Sequence, residues 1–325
     1  MLDGPGLAAG VDLDKETMVM RTHRVGAMRV TFYWSDLQPQ DASTIDFTAY
    51  DPIVLAAALH GIRVMPVVLR TPAWAAADPS KAASPPADPR TYGRLLIALV
   101  RRYGPQGTLW NDHPEVHRVP VLRWQIWNEP DLGRFWAAQP HWAPSYVRLL
   151  HVAHDAIKAV DPAAKVVSAG VTGASWLQLE KIYRAGGRRW FDIAGAHPFH
   201  SRVSGVLRIV ELIRKVMSRN GDGRKSLLLS EVTWCSGKGR STHNYGWETT
   251  ERGQAARVRQ VLPALAEARR RWRIAGIYWY TWVSLPLGSP ESFDYAGLNR
   301  ANKEGVFLPK PALAAWTRTV ARLTG

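Results

Sequence analysis

The chain has 325 residues, 46% of them hydrophobic, and carries 42 Lys and Arg against 27 Asp and Glu, a formal charge of +15. That length and apolar content support one large core. The single cysteine, Cys235, excludes an intrachain disulfide and a thiolate zinc cluster, and the lack of any run of eighteen apolar residues argues against a helical membrane span.

Arginine carries the charge excess, since only ten of the basic residues are lysine. The basic clusters, such as "RAGGRR" (184–189) and "EARRRWR" (267–273), fall in helix-like segments and read first as solvated helix faces. A polyanionic partner, such as an acidic glycan, is the competing reading. No nucleic-acid partner is expected, because no recognition motif accompanies the charge. "MLDGPGLAAGVDL" lacks a basic stretch followed by an apolar one, so no signal peptide is visible. An extracellular or cell-surface location is expected only if a leader has been removed.

Taken in order, short apolar runs alternate with longer amphipathic ones, the pattern of repeated βα units. Strands are expected near 6–13, 27–34, 62–69 and 121–129, then 165–170, 192–199, 226–231 and 274–282. Helices are expected between them, clearest at 145–160 and 203–217, where apolar residues recur every three or four positions. "DP" at 161–162 and "NGDG" at 220–223 supply the stop signals, and a last helix is expected over 310–323. Eight strands with eight helices predict a single (β/α)8 TIM barrel over residues 1–325, with no accessory domain and acting as a monomer. An open doubly wound sheet is the runner-up, but no Gly-rich phosphate loop follows the first strand. The irregular stretches 70–89 and 234–250 both follow strands and so belong on the face where barrels carry their chemistry.

Acids at strand ends are few. Glu129 closes the fourth expected strand in "RWQIWNEPDLGRFW", and Glu231 closes the seventh in "LLLSEVTW". They are about 100 residues apart, roughly three βα units of about 30 residues, which puts their strands nearly across a barrel from each other. Two carboxyl groups facing one cleft are what glycoside cleavage requires. Trp34, Trp74, Trp136, Trp234 and Trp282 fall at or just after strand ends and are expected to offer ring faces to a sugar, whereas Trp190, Trp272 and Trp316 lie in or beside helices and read as packing. "HPEVH" (113–117) has the wrong order for a zinc helix and reads as a loop, and Cys235 reads as a buried small residue. No metal and no cofactor are expected, because two carboxylates supply the chemistry.

The ordered set "RVTFYWSDLQP" (29–39), "GIRVMPVVLRTPAWA" (61–75), "WQIWNEPD" (124–131), "AHPF" (196–199), "SEVTWCS" (230–236) and "IYWYTW" (277–282) resembles the retaining glycoside hydrolases of clan A, most of all family 39 and its cellulase-like relatives. The resemblance implies a hydrolase of O-glycosidic bonds, commonly β, in an oligo- or polysaccharide. It implies Glu129 as acid/base, Glu231 as nucleophile, Arg29 beside that nucleophile, and Asn128 on the sugar 2-hydroxyl. It further implies His197 as a cleft histidine and Trp282 as the ring under the sugar. The sequence departs from the family in one place: Phe199 stands where relatives carry a tyrosine that bonds the nucleophile, leaving His200 or another donor to act. A transglycosylase on the same barrel and a catalytically silent carbohydrate- or polyanion-binding protein remain the alternatives.

Overall fold

A computed structural model describes residues 11–285 and 288–324. Seven parallel strands form one sheet in sequential order: β1 (Ala27–Tyr33), β2 (Arg63–Leu69), β3 (Arg123–Ile126), β4 (Lys165–Val167), β5 (Ile193–Ala196), β6 (Ser226–Val232) and β7 (Ile274–Trp279). Each new strand pairs in parallel with the one before it, and helical segments make the connections between them. A small second sheet follows, where β8 (Val283–Ser284) runs parallel to β9 (Asn299–Ala301) and β10 (Phe307–Pro309) runs antiparallel to it.

The helices are α1 (Leu13–Thr22), the single turn α2 (Trp34–Leu37), α3 (Asp51–Leu59), α4 (Pro89–Tyr103) and the short α5 (Thr108–Asp112). They continue as α6 (Trp142–Val160), α7 (Ser175–Arg184), α8 (Val203–Arg219), α9 (Glu251–Trp272) and α10 (Pro311–Thr324). Their starts are chemically marked. The Asp88 carboxylate accepts the Arg90 N–H ahead of Pro89, and the Thr250 hydroxyl accepts the Gly253 N–H, each satisfying a donor that the first helical turn leaves open. Asp12 does the same for the Lys15 N–H.

That last cap corrects part of the sequence reading. Residues 6–10 of the expected first strand lie outside the described residues, and its remainder is not strand, because Asp12 caps a helix that begins at Leu13. The fold is therefore α/β with a curled, seven-stranded parallel sheet. β1 and β7 are its two edges. Between those edges lies a cavity of about 540 Å³, lined by Met20, Ala27, Arg63, Arg123, Tyr278 and Trp282 among others.

The sheet's inward side is layered. Met65, Val167, Ile193, Leu228 and Tyr278, from five different strands, form an apolar cluster separate from the larger core between sheet and helices. Alternation along each strand then brings the next inward residues toward the C-terminal ends, where the polar groups gather. The expected fourth and seventh strands are β3 and β6, and the irregular stretches after β2 and β6 emerge at this same end.

Candidate active site

Arg29 organises the polar layer. Inward-pointing from β1 and 1% exposed, it donates through Nε to Gln125 Oε1 at 2.9 Å, through Nη1 to Glu231 Oε1 at 2.8 Å, and through Nη2 to Asn128 Oδ1 at 2.6 Å. One buried guanidinium thus ties β1, β3 and β6 together. A buried charge is tolerated only when paired and fully hydrogen-bonded, and this one is.

Glu231 reaches that guanidinium because β6 is irregular. Leu229 pairs with Ile277 and Val232 with Trp279, so three steps on β6 oppose two on β7. Such a bulge turns a side chain that strict alternation would aim outward toward the inside. Leu228, three residues earlier, faces the inward apolar cluster, as Glu231 now does the polar layer.

Glu129 is aimed differently. β3 ends at Ile126, after which Trp127 and Glu129 adopt positive φ (67° and 43°), a region costly for residues with a Cβ. The Glu129 N–H donates to the Gly170 carbonyl at 3.0 Å, fixing the turn against the segment that follows β4. Its carboxylate meets His197 Nδ1 at 2.8 Å and Arg134 Nη2 at 3.3 Å. His197 is fully buried, and its other nitrogen stands 3.6 Å from Glu231 Oε1. The imidazole therefore lies between the two carboxylates. Gly170 makes room for it: a Cβ there would stand 2.0 Å from His197 Nε2.

Glu129, His197 and Glu231 each offer an atom within 4.8 Å of the others, and all three residues are buried. Such a trio could ligate a cation, but Arg29 and Arg134 already place two guanidinium charges on its carboxylates, which opposes one. Nearby, Asp131 accepts from the Thr172 N–H and hydroxyl, and burial, helped by the Glu129 charge, pushes its carboxyl above the usual range.

Two cavities flank the Asn128–Glu129 pair. One of about 130 Å³ is lined by Tyr33, Arg70, Trp127, Asn128, Arg134 and others; the second, of about 480 Å³, by Glu129, Arg134, Phe199, Tyr245, Trp247 and others. The structure thus brings Glu129, Glu231, Asn128, Arg29 and His197 together, and treats the tryptophans otherwise.

Trp34, Trp136 and Trp234 are at most 1% exposed and cannot offer a face to a ligand. Trp34 donates to Gln38, Trp136 to the Ser145 hydroxyl, and Trp234 to the Ser201 carbonyl, so each seals a loop beneath the cleft. Trp74, half-buried, stands edge-on to Trp34 and bonds the Gln38 carbonyl. Trp282 lies on the α1 side, donating to Glu16, because the chain leaves β7 at Trp279 and turns into the small sheet. The expectation of a five-tryptophan cleft is corrected accordingly. The tryptophans that line the two cavities beside Glu129 are Trp127, which directly follows β3 but lies inside the strand expected from the sequence, and Trp247, far from any strand end. Tyr280, two residues before Trp282, stands edge-on to Phe293 at 5.6 Å, and Phe293 lines the larger cavity.

Phe199 stacks on Trp247 at 5.1 Å and contributes no hydroxyl, and His200 Nδ1 accepts the Arg202 N–H. Trp190, Trp272 and Trp316 pack in or against helices, with Trp190 stacked on His151. "HPEVH" is a loop in which His113 faces Glu115. Cys235 is buried, and burial pushes its thiol well up. Gln125 and Arg134 are further site residues that the sequence signals in principle: the first lies four residues before Glu129 on β3, and the second in the same aromatic stretch.

No family model and no curated protein matches the sequence. Solved structures do match the fold, and they are clan A glycoside hydrolases. A family 39 glycoside hydrolase from Bacteroides cellulosilyticus WH2 superposes with a TM-score of 0.68 at 19% identity, over 95% of this chain and 61% of that one. A monomeric beta-xylosidase from Caulobacter crescentus CB15 gives 0.67 at 17%, over 98% and 66%. An endo-beta-1,4-glucanase from Xanthomonas axonopodis pv. citri gives 0.62 at 14%, over 95% and 90%. The chain spans under two thirds of the length of the first two. Its similarity to family 39 and its clan is a similarity of fold, and no helix among the described residues is long and apolar enough to cross a membrane.

Proposed function

We propose that this protein is a glycosidase that cleaves an O-glycosidic bond, of β configuration, in an oligo- or polysaccharide with retention, using Glu129 as acid/base and Glu231 as nucleophile. The observation that carries the reading is the approach of a Glu129 carboxylate atom to within 4.8 Å of one from Glu231, across the ends of β3 and β6. Retaining enzymes hold their carboxyl groups about 5–5.5 Å apart, whereas inverting ones leave about 6.5–9.5 Å for a water. The glycoside hydrolase neighbours support the same reading, and the seven-stranded curl belongs, in this reading, to a single barrel closed by an eighth strand.

The residues divide the work as follows. Glu231 attacks the anomeric carbon as Glu129 gives its proton to the departing oxygen, leaving a glycosyl ester on Glu231 and a carboxylate at Glu129. Glu129 then takes a proton from water as that water's oxygen attacks the same carbon, freeing Glu231 and restoring the acid. Arg29, bonded to Glu231, favours its carboxylate form before attack and after release of the sugar. Asn128, fixed by the same guanidinium, is left to meet the sugar hydroxyl next to the reacting carbon.

Product release across a panel of aryl glycosides and polysaccharides tests this, with the Glu129→Ala/Glu231→Ala double variant alongside. Activity that vanishes in the variant and yields the substrate's own anomer first, by NMR, is expected. Equal activity in both proteins would remove the pair from the mechanism, and the opposite anomer would remove retention.

A further inference from the structure

We propose that the end of the protein opposite Glu129 and Glu231 is a docking face for a bilayer of anionic lipid, built from unpaired arginines with exposed leucines among them. This stands independently of the glycosidase reading.

The seven strands are parallel, so all of them start at one end of the sheet, and the helices that lead into them finish there. Positive charge collects at that end. Arg63, Arg123 and Lys165 open β2, β3 and β4, and Arg123 pairs directly with Lys165 across the ladder. Like charges set opposite each other on neighbouring strands are destabilising. Arg24 and Arg273 stand just ahead of β1 and β7, and α9 carries Arg269, Arg270 and Arg271 in its last turn. Among the described residues, no acid lies within 4.0 Å of any of these cations. At the other end, by contrast, segments 34–50 and 168–174 contain no Lys or Arg.

Two of these arginines occupy positions that favour glycine. Where α3, α7 and α8 end, the left-handed residue is Gly61, Gly186 or Gly221; where α1 and α9 end, it is Arg24 (φ 63°) or Arg273 (φ 51°). The backbone there accepts the strain of a Cβ and keeps a charge. Cations in a last helical turn also offset the helix dipole, which accounts for Arg269, Arg270 and Arg271. It does not account for Arg63, Arg123 and Lys165, which begin strands.

The apolar component lies at the same end. Leu59 closes α3, Leu122 immediately precedes β3, and Leu323 is in the last turn of α10; they are 56%, 46% and 43% exposed. Arg63, Leu122, Arg123 and Arg269 line one cavity, so cation and leucine stand side by side. A lipid surface meets both needs: phosphate headgroups for the guanidinium groups and an acyl boundary for the leucines. A soluble polyanion meets only the first. Docked by this end, the protein turns the Glu129–Glu231 end away from the bilayer, open to a polymer.

Cosedimentation with vesicles tests this, using phosphatidylcholine alone and an equimolar mixture with phosphatidylglycerol. The wild type is compared with Arg24→Gly/Arg63→Gln/Arg269→Gln/Arg273→Gly and with Leu59→Ser/Leu122→Ser. The control, Arg94→Gln/Arg148→Gln/Arg252→Gln/Arg259→Gln, removes the same charge from exposed positions along α4, α6 and α9. Heparin binding is measured on the same proteins.

The wild type should bind the mixed vesicles and leave the neutral ones. An arginine near an anionic surface contributes about fivefold, so the quadruple arginine variant should bind at least about 100-fold more weakly. The control should stay within about threefold, because its charges lie beyond the reach of the screened surface. The leucine variant should lose about tenfold on vesicles and keep its heparin affinity. Should the quadruple variant not fold, Arg24→Gly/Arg273→Gly, which relieves two left-handed residues, should melt no lower than the wild type and still lose about tenfold. Equal binding to both kinds of vesicle overturns the proposal, as does a loss shared by the control. Vesicle binding untouched by the leucine change, with heparin bound through the same arginines, would also overturn it and assign the face to a soluble polyanion.

Discussion

Two layers of the same enclosed space obey opposite rules. The lower one (Met65, Val167, Ile193, Leu228, Tyr278) is apolar, and its content follows from burial alone. The upper one packs Arg29, Gln125, Asn128, Glu129, His197 and Glu231 into equal burial, with two carboxylates kept close together. Burying apolar side chains stabilises the fold, whereas burying these charges gains little net and costs heavily if one partner is lost. A protein keeps such a layer for what it does rather than for what it holds together. If that contrast is right, substitutions in the two layers should separate activity from stability.

The largest effect on activity belongs to Glu231→Ala, expected to lower hydrolysis of the best aryl glycoside by more than about 10⁴-fold, with Glu129→Ala at about 10²–10⁴-fold. Steady-state kinetics on folded protein checks both, and a loss under tenfold for either would end its assignment. Gly170→Ala comes next. Its Cβ would displace the His197 ring, and about an ångström of movement there should lower kcat by about 10²-fold. Crystallography of the variant should find the imidazole shifted from between the carboxylates; an unmoved ring with full loss of activity would refute that role for Gly170.

Leu228→Ala probes the lower layer. It should destabilise the fold by about 2–5 kcal/mol in denaturant titration while kcat/KM of the remaining folded enzyme stays within about threefold. A large kinetic loss at unchanged stability would erase the distinction between the layers. The smallest effect is expected for Trp282→Phe, which removes the bond to Glu16 on the far side of the site. Its KM should not move, whereas Tyr280→Phe, on the Phe293 side, gives the comparison its positive arm.

Much of this is legible in the amino-acid sequence. Strand and helix alternation, the stops at 161–162 and 220–223, and the two acids at strand ends follow from local rules of periodicity, capping and parity, which act over a few residues. β3 and β6 end near Glu129 and Glu231 because apolar runs end there. The cleft assignments of Trp34, Trp136 and Trp234 failed for a reason of the same kind. Position after a strand does not say whether a ring turns into the cleft or under it, and tryptophan suits both. Trp34, Trp136 and Trp234 went under.

The sequence by itself determined the periodic elements, the order of the sheet and the presence of two strand-end carboxyls, because each is written in neighbouring residues. Only the tertiary structure decided that β6 bulges to turn Glu231 inward, that Gly170 yields its missing Cβ to His197, and that Arg29 spans three strands. Those depend on contacts between segments roughly 30 to 200 residues apart. There the chain's direction is set by what packs against it, rather than by what precedes it.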